Sequence, residues 1–600
     1  MRRNAHRLTK NITSTRPQYM IFLDTETDIK RVDSHVTEYP FRLGFAHYWR
    51  RRRDGNSDSH RWLEFYNPCE FWDWLAARCA PNSVTYLIAH NVLFDLAALE
   101  FLTELPKRGF TCKFAFDRDH VSLYRFRNDN RTLIALNNAN IFRGQLSDWA
   151  DAVELPKIDV DFHAVNDADL LRRCTRDVEI MTQLWTWWLD FLDEHDMGVF
   201  KPTIASQAMT TWRHRFMSYP VYVHNNADAL ALERAAYRGG RSEPFRVGRF
   251  IGETFYKLDV NSMYPHVMRW YEYPNNLVHH ALGGSADYLA YVLERFGVIA
   301  DVTIKVDEPW FPVVRGGRNV YPVGTFRTVL TSEEVRLALY KRWIKQVHAY
   351  ARYTMRDLFS EFVDTFYMLK AEYRAQGKHV LALLCKDLLN SLHGKLGQRG
   401  LETKVIGEWD PGENFVALAS DGPGTEPYKI RYIGGQAIEE RKRGESFNSM
   451  PAIAAHVAAN ARLYLYTLVQ EAGHGHCLYC DTDSLIVDSC GLSNLAHRLD
   501  PMALGSLKIE GEANKVEIRG PKDYTFGEHL VVKGIPLNAT WVDNNSAEVE
   551  LWPGLASYLG GENSLHYQTR TITRHLARVI ASGTIGPDGW IEPFKYPQEA

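Results

Sequence analysis

The stretch LYCDTDSLIV, residues 478–487, places Asp481 and Asp483 one residue apart between two short apolar runs. Such runs are typical of the two arms of a β-hairpin, so both carboxylates are expected at its tip. Two like charges this close repel each other, which costs free energy unless a cation lies beside them. A divalent cation is the obvious candidate, and the pattern therefore predicts a metal site on a hairpin.

Length and composition predict a multidomain globular protein. The chain has 600 residues, of which 45% are hydrophobic and 12% aromatic, and this length exceeds what one hydrophobic core usually supports. The formal net charge of -3 at pH 7 argues against a uniformly basic protein that coats nucleic acid. A groove lined by Lys and Arg is still compatible with this balance if acidic clusters elsewhere hold metal ions.

The cysteines and the start of the chain bear on location. Eight cysteines without regular spacing are typical of a reduced intracellular protein, and Cys477 and Cys480 are expected to pack within a strand. The sequence has no run of about 18 apolar residues that could span a membrane, so we expect a cytoplasmic protein without membrane contact. Residues 1–18 are basic and polar, which predicts a frayed tail and not a secretory signal.

A second set of carboxylates occurs in the N-terminal third. YMIFLDTETD, residues 19–28, is a short apolar strand that ends in Asp24 and Glu26, and alternate residues of an extended chain share one face. Asp95 lies at the start of an apolar-periodic helix, and Asp177 lies on a helix with a strong apolar face. Taken alone, the first pair could be a solvated strand end. Together, the four acids are expected to converge.

In this order the four acids resemble the exonuclease set of the DEDD class, the proofreading domain of family B DNA polymerases. The resemblance implies that they hold two cations about 4 Å apart, and that Asn91 and Phe94 of HNVLFD contact a frayed single-stranded primer end. The family usually has tyrosine four residues before the last acid, where this chain has Arg173. We therefore expect an active exonuclease that is weakened or differently oriented; His163 is a conceivable replacement donor.

YKLDVNSMYPHVM, residues 256–268, is predicted to be a strand that turns into a helix, and it resembles motif A of family B DNA polymerases. The resemblance implies that Asp259 and the backbone carbonyl of Val260 bind Mg²⁺, because Mg²⁺ prefers oxygen ligands. It also implies that Tyr264 packs under the deoxyribose and leaves no room for a 2'-hydroxyl.

CKDLLNSLHGKLGQ, residues 385–398, resembles motif B of the same family. Lys386 and Asn390 are four residues apart on a predicted helix, so they share a face, and Lys386 is expected to meet the incoming triphosphate. Arg374 and Lys378 are further cationic candidates for nucleotide binding. The family tyrosine is replaced by His393, so fidelity or nucleotide affinity is expected to differ.

The opening stretch matches motif C, Tyr-x-Asp-Thr-Asp-Ser. The resemblance implies that Asp483 joins Asp259 in holding two Mg²⁺ ions, for which Mn²⁺ can substitute, while Asp481 is a supporting acid near them. A two-metal site of this kind performs nucleotidyl transfer. One such motif has little specificity, but six motifs in family order are very specific.

Two further stretches fit the same family. YRGGR resembles the Tyr-x-Gly-Gly segment between the exonuclease and polymerase domains, which implies that Tyr237, Gly239 and Gly240 lie against the template strand. GPKDYTF resembles the Lys-x-Tyr motif, which implies that Lys522 and Tyr524 steady the primer terminus.

The resemblance implies an α/β and α+β multidomain fold: an RNase H-like exonuclease domain followed by a right-hand polymerase with palm, fingers and thumb and two insertions. The expected order is a basic tail (1–18), the exonuclease domain (19–200), a linker with the YxGG segment (201–250), palm (251–299), a first insertion (300–358), fingers (359–399), a second insertion (400–450), palm (451–526) and thumb (527–600).

The two insertions bear on priming. Residues 400–450 are longer than a helix-to-strand connection needs, and they resemble the β-hairpin with which protein-primed polymerases of bacteriophages, adenoviruses and linear plasmids close around DNA. Residues 300–358 resemble the insertion that contacts the priming protein. Lys157 matches a further family position for this contact, whereas Gln145 and Leu146 match only approximately. Processive, strand-displacing replication of a viral or plasmid genome is therefore expected.

The expected protein is a monomeric DNA-directed DNA polymerase that binds template and primer DNA, dNTPs and a terminal protein primer. One alternative is a family B polymerase that is primed by RNA or DNA or needs no primer. A DNA-binding module with decayed sites is disfavoured because all seven main acids are present. A nuclease alone is disfavoured by the three polymerase motifs.

Overall fold

The architecture is seen in a computed structural model that describes residues 3–52, 57–118, 121–162, 164–560 and 566–596. Within these ranges the chain forms three large β-sheets, a four-stranded sheet, a five-stranded sheet that joins distant segments, two two-stranded hairpins and a pair of long antiparallel helices. No helix in the described ranges is long and apolar enough to cross a lipid bilayer.

The N-terminal domain is built on a seven-stranded sheet. The central strand Val84–Ala89 pairs in parallel with both its neighbours, and the other pairings are antiparallel. In sheet order the strands are Ser59–Phe65, Phe41–Arg50, Tyr19–Thr27, Val84–Ala89, Arg131–Asn137, Val121–Asn128 and Thr111–Arg118. The helices around it are Pro68–Ala76, Val92–Ala98, Phe101–Lys107, Leu146–Ala152 and Asp167–Glu194, with a 3-10 turn at Asn138–Asn140.

The helix Asp167–Glu194 is held against this sheet by one apolar face. It begins after Asn166, whose side chain accepts a hydrogen bond from the Asp169 amide and so satisfies a free N–H group of the first turn. Its buried face includes Trp185 and Trp188, and Asp177 lies on that same face. Because this face packs against the sheet, Asp177 is brought toward the sheet.

A second seven-stranded sheet, antiparallel throughout, forms the expected palm. Its strands in order are Ser242–Pro244, Cys477–Asp481, Ser484–Asp488, Gly248–Val260, Leu507–Gly520, Asp523–Phe526 and His529–Val532. The mostly buried helix Pro451–Ala472 packs behind it, as the apolar pattern predicts. Further helices are Met263–Trp270 and Ser489–Asn494, with a 3-10 turn at Ala496–Arg498.

The expected fingers are two antiparallel helices, Ser360–Ala375 and His379–Leu396. The second of them packs on the helix Ile204–Thr211, which continues into a π-turn at Trp212–Phe216. The apolar side chains of these elements join the same large core as the palm, so the fingers are rooted in the palm and not carried on a flexible loop.

The segment expected as the first insertion does not form a separate unit. Its strands belong to a six-stranded sheet that starts within the expected basic tail, because His6–Leu8 pairs with Val221–Val223. The sheet order is His6–Leu8, Val221–Val223, Tyr273–Leu282, Ile344–Arg356, Gly297–Val306 and Gly324–Thr331. The associated elements are the helices Ala227–Ala236, Ala286–Leu293 and Ser332–Tyr340 and the hairpin Val313–Arg315 with Arg318–Val320.

The segment expected as the second insertion is a four-stranded sheet and not a single hairpin. Its strands in order are Arg399–Glu408, Gln436–Glu445, Tyr428–Ile433 and Phe415–Ala419. It docks on the N-terminal domain: the Cys112 amide donates to the Gly434 carbonyl at 3.1 Å, and Arg431 donates to the Ala115 carbonyl at 2.8 Å. The sheet therefore bridges the fingers to the N-terminal domain.

The C-terminal segment returns to the N-terminal domain. Tyr567–His575 pairs with Val36–Tyr39, which places residues of the expected thumb and of the exonuclease domain in one five-stranded sheet. The order is Thr540–Asp543, Ser546–Leu551, Tyr567–His575, Val36–Tyr39 and Lys30–Arg31. The remaining elements are the helix Leu555–Leu559 and the hairpin Gly583–Ile585 with Ile591–Pro593.

Close packing at Gly44 generates a stability prediction. A Cβ atom there would lie 2.2 Å from Phe65 Cζ, so Gly44→Ala is expected to destabilise the protein by about 1–3 kcal/mol through overpacking. Gly407→Ala is the matched control, because its Cβ would meet nothing within 4 Å, and we expect a change within about 0.5 kcal/mol. Unfolding followed by tryptophan fluorescence measures both, and equal midpoints would contradict the packing.

Candidate active site

The two expected motif carboxylates Asp259 and Asp483 lie on adjoining backbone. The strands Cys477–Asp481 and Ser484–Asp488 form the acidic hairpin, whose turn residue Thr482 has a φ of 61°. The Thr482 amide donates to the Arg241 carbonyl at 2.6 Å, and the Val260 amide donates to the Asp483 carbonyl at 2.7 Å. The hairpin tip is thus tied by backbone hydrogen bonds to two other segments.

The electrostatics of this pair favour a cation. Burial, together with repulsion from Asp259 and Asp481, raises the pKa of Asp483 to about 6. Burial also raises the pKa of Asp259, against the hydrogen bond from Lys508, whose Nζ lies 3.0 Å from Asp259 Oδ2. Among the described residues no Lys or Arg forms an ion pair with Asp483. Half-buried carboxylate oxygens without a full countercharge are the donor set that a divalent cation requires.

Asp481 has a different environment from its neighbour. Lys522 Nζ lies 2.6 and 2.8 Å from its two carboxylate oxygens, and the Lys522 amide donates to the Tyr479 hydroxyl at 2.9 Å. The Tyr479 ring in turn packs on Tyr524 at 5.0 Å between centroids. Asp481 therefore orients the Lys-x-Tyr segment, and its carboxylate is paired with Lys522.

Basic side chains converge beside these carboxylates, and the sequence reading missed two of them, Lys370 and Lys508. Burial lowers the pKa of Lys370 to about 8, and repulsion from Arg374, Lys386 and Lys508 acts in the same direction. Lys370 Nζ also donates to Ser262 Oγ at 3.3 Å. The missed signal for Lys370 is its spacing four residues before Arg374, which puts both on one helix face.

The two remaining candidates for nucleotide binding, Lys378 and Asn390, have different surroundings. Lys378 precedes the helix His379–Leu396 at the tip of the fingers. Because Lys386 is eight residues further along, the two residues are about 12 Å apart along the helix axis. Asn390 lines a cleft of about 1090 Å³ together with Arg143, Phe114 and Gln398. This cleft lies between the fingers, the N-terminal domain and the start of the helix Ile204–Thr211.

The site contains a stack of two aromatic rings, one from motif A and one from motif B. Tyr264 stacks on His393 with centroids 4.4 Å apart and planes 7° apart, and burial lowers the pKa of His393 to about 4. At position 393, where the family has tyrosine, a neutral imidazole therefore stacks on Tyr264. A Cβ on Gly240 would lie 3.2 Å from the Tyr264 hydroxyl, so this glycine lets the YRGGR segment approach the stack.

The other two residues of that segment differ in their surroundings. Tyr237 packs against Gly397, where a Cβ would lie 2.5 Å from the tyrosine ring. Gly239 borders open space, and its carbonyl accepts from Arg462 at 3.2 Å. The segment is therefore anchored on both sides of Gly239.

The four acids of the N-terminal domain converge, as expected, in a cleft of about 380 Å³, the N-terminal acidic cleft, lined by Asp24, Glu26, Asp95 and Asp177. Burial, followed by repulsion from the other three acids, raises the pKa of Asp24 well above its usual range. Asp24 Oδ2 and Asp177 Oδ1 are buried and form no hydrogen bond within the described residues. Buried acceptors without partners fit a bound cation.

The third acid of the cleft is held differently. Burial raises the pKa of Asp95 to about 8, against hydrogen bonds from the Thr25 amide at 3.0 Å and the Thr25 hydroxyl at 2.8 Å. Both bonds reach Oδ1. Asp95 Oδ2 therefore accepts no hydrogen bond from Thr25.

Two basic side chains share the cleft with the acids. Arg173 forms an ion pair with Glu26, and Lys157 Nζ lies 2.8 Å from Asp177 Oδ2. Lys157, for which contact with a terminal protein stays a prediction, forms an ion pair with an acid of the cleft. His163 lies outside the described residues.

The rim of the cleft is aromatic and includes a residue that the sequence did not indicate. Phe94 lies 6.1 Å from Trp552 between ring centroids, and Trp552 comes from the C-terminal segment. Asn91 is exposed at the start of the helix Val92–Ala98 with a φ of 74°. No local pattern relates residue 552 to residue 94, because the C-terminal strand pairing brings them together.

Comparisons with known proteins agree with this geometry. The family model described as DNA polymerase type B, organellar and viral, matches residues 85–415. A probable DNA polymerase of Neurospora intermedia is 22% identical over 336 residues, which is 54% of this chain and 34% of that protein. The DNA-directed DNA polymerase of Enterobacteria phage PRD1 is 29% identical over 313 residues, which is 49% of this chain and 50% of that protein. The chain thus spans about a third to a half of these relatives.

Solved structures with the same fold include phi29 DNA polymerase. Its orthorhombic crystal form has a TM-score of 0.61 at 16% identity and covers 87% of this chain and 90% of that chain. Its ternary complex with primer-template DNA and incoming nucleotide has a TM-score of 0.64 at 14% identity and covers 93% of this chain and 100% of that chain.

The ion pair of Arg173 with Glu26 generates a metal-binding prediction. Arg173→Gln removes a positive charge from the N-terminal acidic cleft, so affinity for Mn²⁺ is expected to rise about tenfold, since a cation no longer competes for the carboxylate. Calorimetry measures this in an Asp259→Asn, Asp483→Asn background, which removes the carboxylates of the palm site. Arg172→Gln is the control, because Arg172 lies on the same helix with its side chain 73% exposed. Unchanged affinity in Arg173→Gln would refute the competition.

Proposed function

Because the chain belongs to the organellar and viral family of type B DNA polymerases, we propose that it is a DNA-directed DNA polymerase with a 3'–5' exonuclease. The fold class and the family B resemblance inferred from the motifs are confirmed by these matches. The observation that carries the activity is the position of Asp259 and Asp483 on adjoining backbone, beside a cluster of basic side chains.

Divalent cations fit both acidic sites. Asp259, the Val260 carbonyl and Asp483 would hold them in the palm, and the four acids of the N-terminal acidic cleft would hold them there; we propose two Mg²⁺ per site, with Mn²⁺ as a substitute. Bound cations would lower the pKa of the attacking hydroxyl and neutralise the leaving group. The buried, partnerless oxygens of Asp24 and Asp177 support this assignment.

The chain's own residues bind and align the nucleotide. Lys370, Arg374 and Lys386 present cationic groups to the triphosphate, and charged hydrogen bonds to phosphate are among the strongest available. Tyr264, fixed by its stack on His393, lies under the sugar and excludes a 2'-hydroxyl. Lys378 and Asn390 are also proposed to contribute to nucleotide binding.

Template and primer DNA are proposed to run past the palm sheet. Tyr237, Gly239 and Gly240 face the template, and Lys522 and Tyr524, oriented by Asp481 and Tyr479, hold the primer end. The cleft beside Asn390, between the fingers and the N-terminal domain, would admit template. The four-stranded sheet, which docks on the N-terminal domain, would hold the DNA from the side of the fingers and so support processive and strand-displacing synthesis by a monomer.

Proofreading is proposed for the N-terminal acidic cleft. Phe94 and Trp552 offer ring faces on which a frayed base stacks, and Asn91 is exposed beside them. Arg173 and Lys157 must release Glu26 and Asp177 before cations bind, so exonuclease activity is expected to be lower than in a cleft that has tyrosine at position 173.

Protein priming is the more specific part of the proposal. It rests on the resemblance of residues 300–358 and 400–450 to the two insertions of protein-primed polymerases. It assigns the chain to replication of a viral or plasmid genome in the cytoplasm of a host cell, where its eight free cysteines stay reduced. A protein covalently attached to the 5' end of the product supports it. Free 5' ends support a polymerase that uses another primer or none.

Primer extension tests the central proposal. Native protein with Mg²⁺ and dNTPs is expected to extend a labelled primer-template, and Asp483→Asn to reduce the rate at least about a hundredfold because a metal ligand is lost. Asp24→Asn with Glu26→Gln should lose only primer degradation and serves as the matched control. An Asp483→Asn variant that extends as fast as native protein would remove the metal-site assignment.

The buried position of Lys370 predicts a trade-off between nucleotide binding and stability. Lys370→Met is expected to raise the KM for dNTPs about tenfold, since a phosphate contact is lost, and to raise the thermal unfolding midpoint, since a buried and repelled charge is removed. Lys378→Met, at the fingers tip, is the control and should change neither quantity by as much. A lower midpoint for Lys370→Met would contradict the electrostatic reading of the cluster.

A further inference from the structure

The acidic hairpin has a second group of metal-ligating side chains at the end opposite its tip. His476 directly precedes the strand Cys477–Asp481, Asp488 ends the returning strand, and Cys490 lies in the helix that follows. One ligand atom from each residue lies within 4.8 Å of the others. Within the described ranges, no other three His, Cys, Asp or Glu side chains converge as closely.

The carboxylate of this group is already oriented. Asp488 Oδ1 accepts a hydrogen bond from the Gly491 amide at 2.8 Å and so caps the helix Ser489–Asn494. Its other oxygen, Oδ2, lies 2.8 Å from His476 Nδ1. A Cβ on Gly491 would lie 2.8 Å from the His476 carbonyl oxygen, so the glycine allows the helix to start close to the imidazole and brings Cys490 near.

The donor atoms select a class of metal ion. An imidazole nitrogen, a carboxylate oxygen and a thiolate sulfur suit Zn²⁺, whereas Mg²⁺ and Ca²⁺ prefer oxygen alone. Tetrahedral Zn²⁺ with bonds of about 2.0–2.3 Å needs ligand atoms roughly 3.3–3.6 Å apart. The distances of 2.8 Å between His476 and Asp488 and at most 4.8 Å across the group bracket that value.

We propose that His476, Asp488 and Cys490 form a Zn²⁺ site with its fourth position open to solvent. His476 and Asp488 are partly buried and Cys490 is exposed, so the ion can enter without unfolding. The site is separate from the Asp259 and Asp483 pair, because a strand of five residues spans about 16 Å. The proposal does not depend on polymerase activity.

The position of the site gives the ion a structural role. His476 and Asp488 face each other across the open end of the hairpin, where the Asp488 amide donates to the His476 carbonyl at 3.1 Å. The pairing register shifts just beyond, between Cys477 and Tyr479. A bound ion would fasten the two strands at this irregular point and so hold the register of the turn that carries Asp483.

Cobalt binding tests the site on the full chain. Co²⁺ occupies Zn²⁺ sites, and a thiolate ligand adds a charge-transfer band in the near ultraviolet that carboxylate sites do not give. We expect this band in native protein at one Co²⁺ per chain, and its loss when Zn²⁺ is added. Cys490→Ser should abolish it, whereas Cys69→Ser, the other exposed cysteine, should retain it. The reductant used must not chelate metal.

Two further readouts separate ligation from misfolding. His476→Gln should weaken Co²⁺ binding at least about tenfold while Cys490 is still present. Zn²⁺ should raise the thermal midpoint of native protein and of Cys69→Ser but not of Cys490→Ser, with equal midpoints for all three without metal. Native protein without the band, or a band that survives in Cys490→Ser, would overturn the proposal.

Discussion

The rest of the structure depends on how the turn between Asp481 and Asp483 is held. Its backbone is bonded to the Arg241 carbonyl on one side and to the Val260 amide on the other. Arg241 is itself buried, paired with Glu243 and placed between the rings of Tyr321 and Tyr466, each within 4 Å of its guanidinium carbon. Three distant segments must therefore fold together before two mutually repelling carboxylates can be brought to one place.

The two acidic sites balance their charge in similar ways. In the palm, Lys508 and Lys522 pair with Asp259 and Asp481, and Asp483 keeps a raised pKa. In the N-terminal acidic cleft, Arg173 and Lys157 neutralise two of the four acids directly. In each site an acid without an ion pair among the described residues, Asp483 in the palm and Asp24 in the cleft, has a raised pKa. Such carboxylates gain most from a bound metal ion.

The sequence was informative where the position of an acidic residue follows from a local pattern. The hairpin tip, the strand end at Asp24 and the helix face at Asp177 each follow from short-range periodicity. The sequence was uninformative where pairing partners are remote. The strand His6–Leu8 was read as a frayed tail because nothing nearby in sequence pairs with it. Trp552 and Lys508 were missed for the same reason, since their neighbours come from other segments.

The pairing of Tyr567–His575 with Val36–Tyr39 has a consequence for biosynthesis. Tyr39 and Thr569, whose hydroxyls lie 3.4 Å apart, are 530 residues apart in sequence. At about 5–20 residues per second on the ribosome, the first strand waits roughly half a minute to two minutes for its partner. Until then that edge of the domain is open to pairing with other chains, so the nascent protein is most exposed to aggregation before the strand Tyr567–His575 emerges.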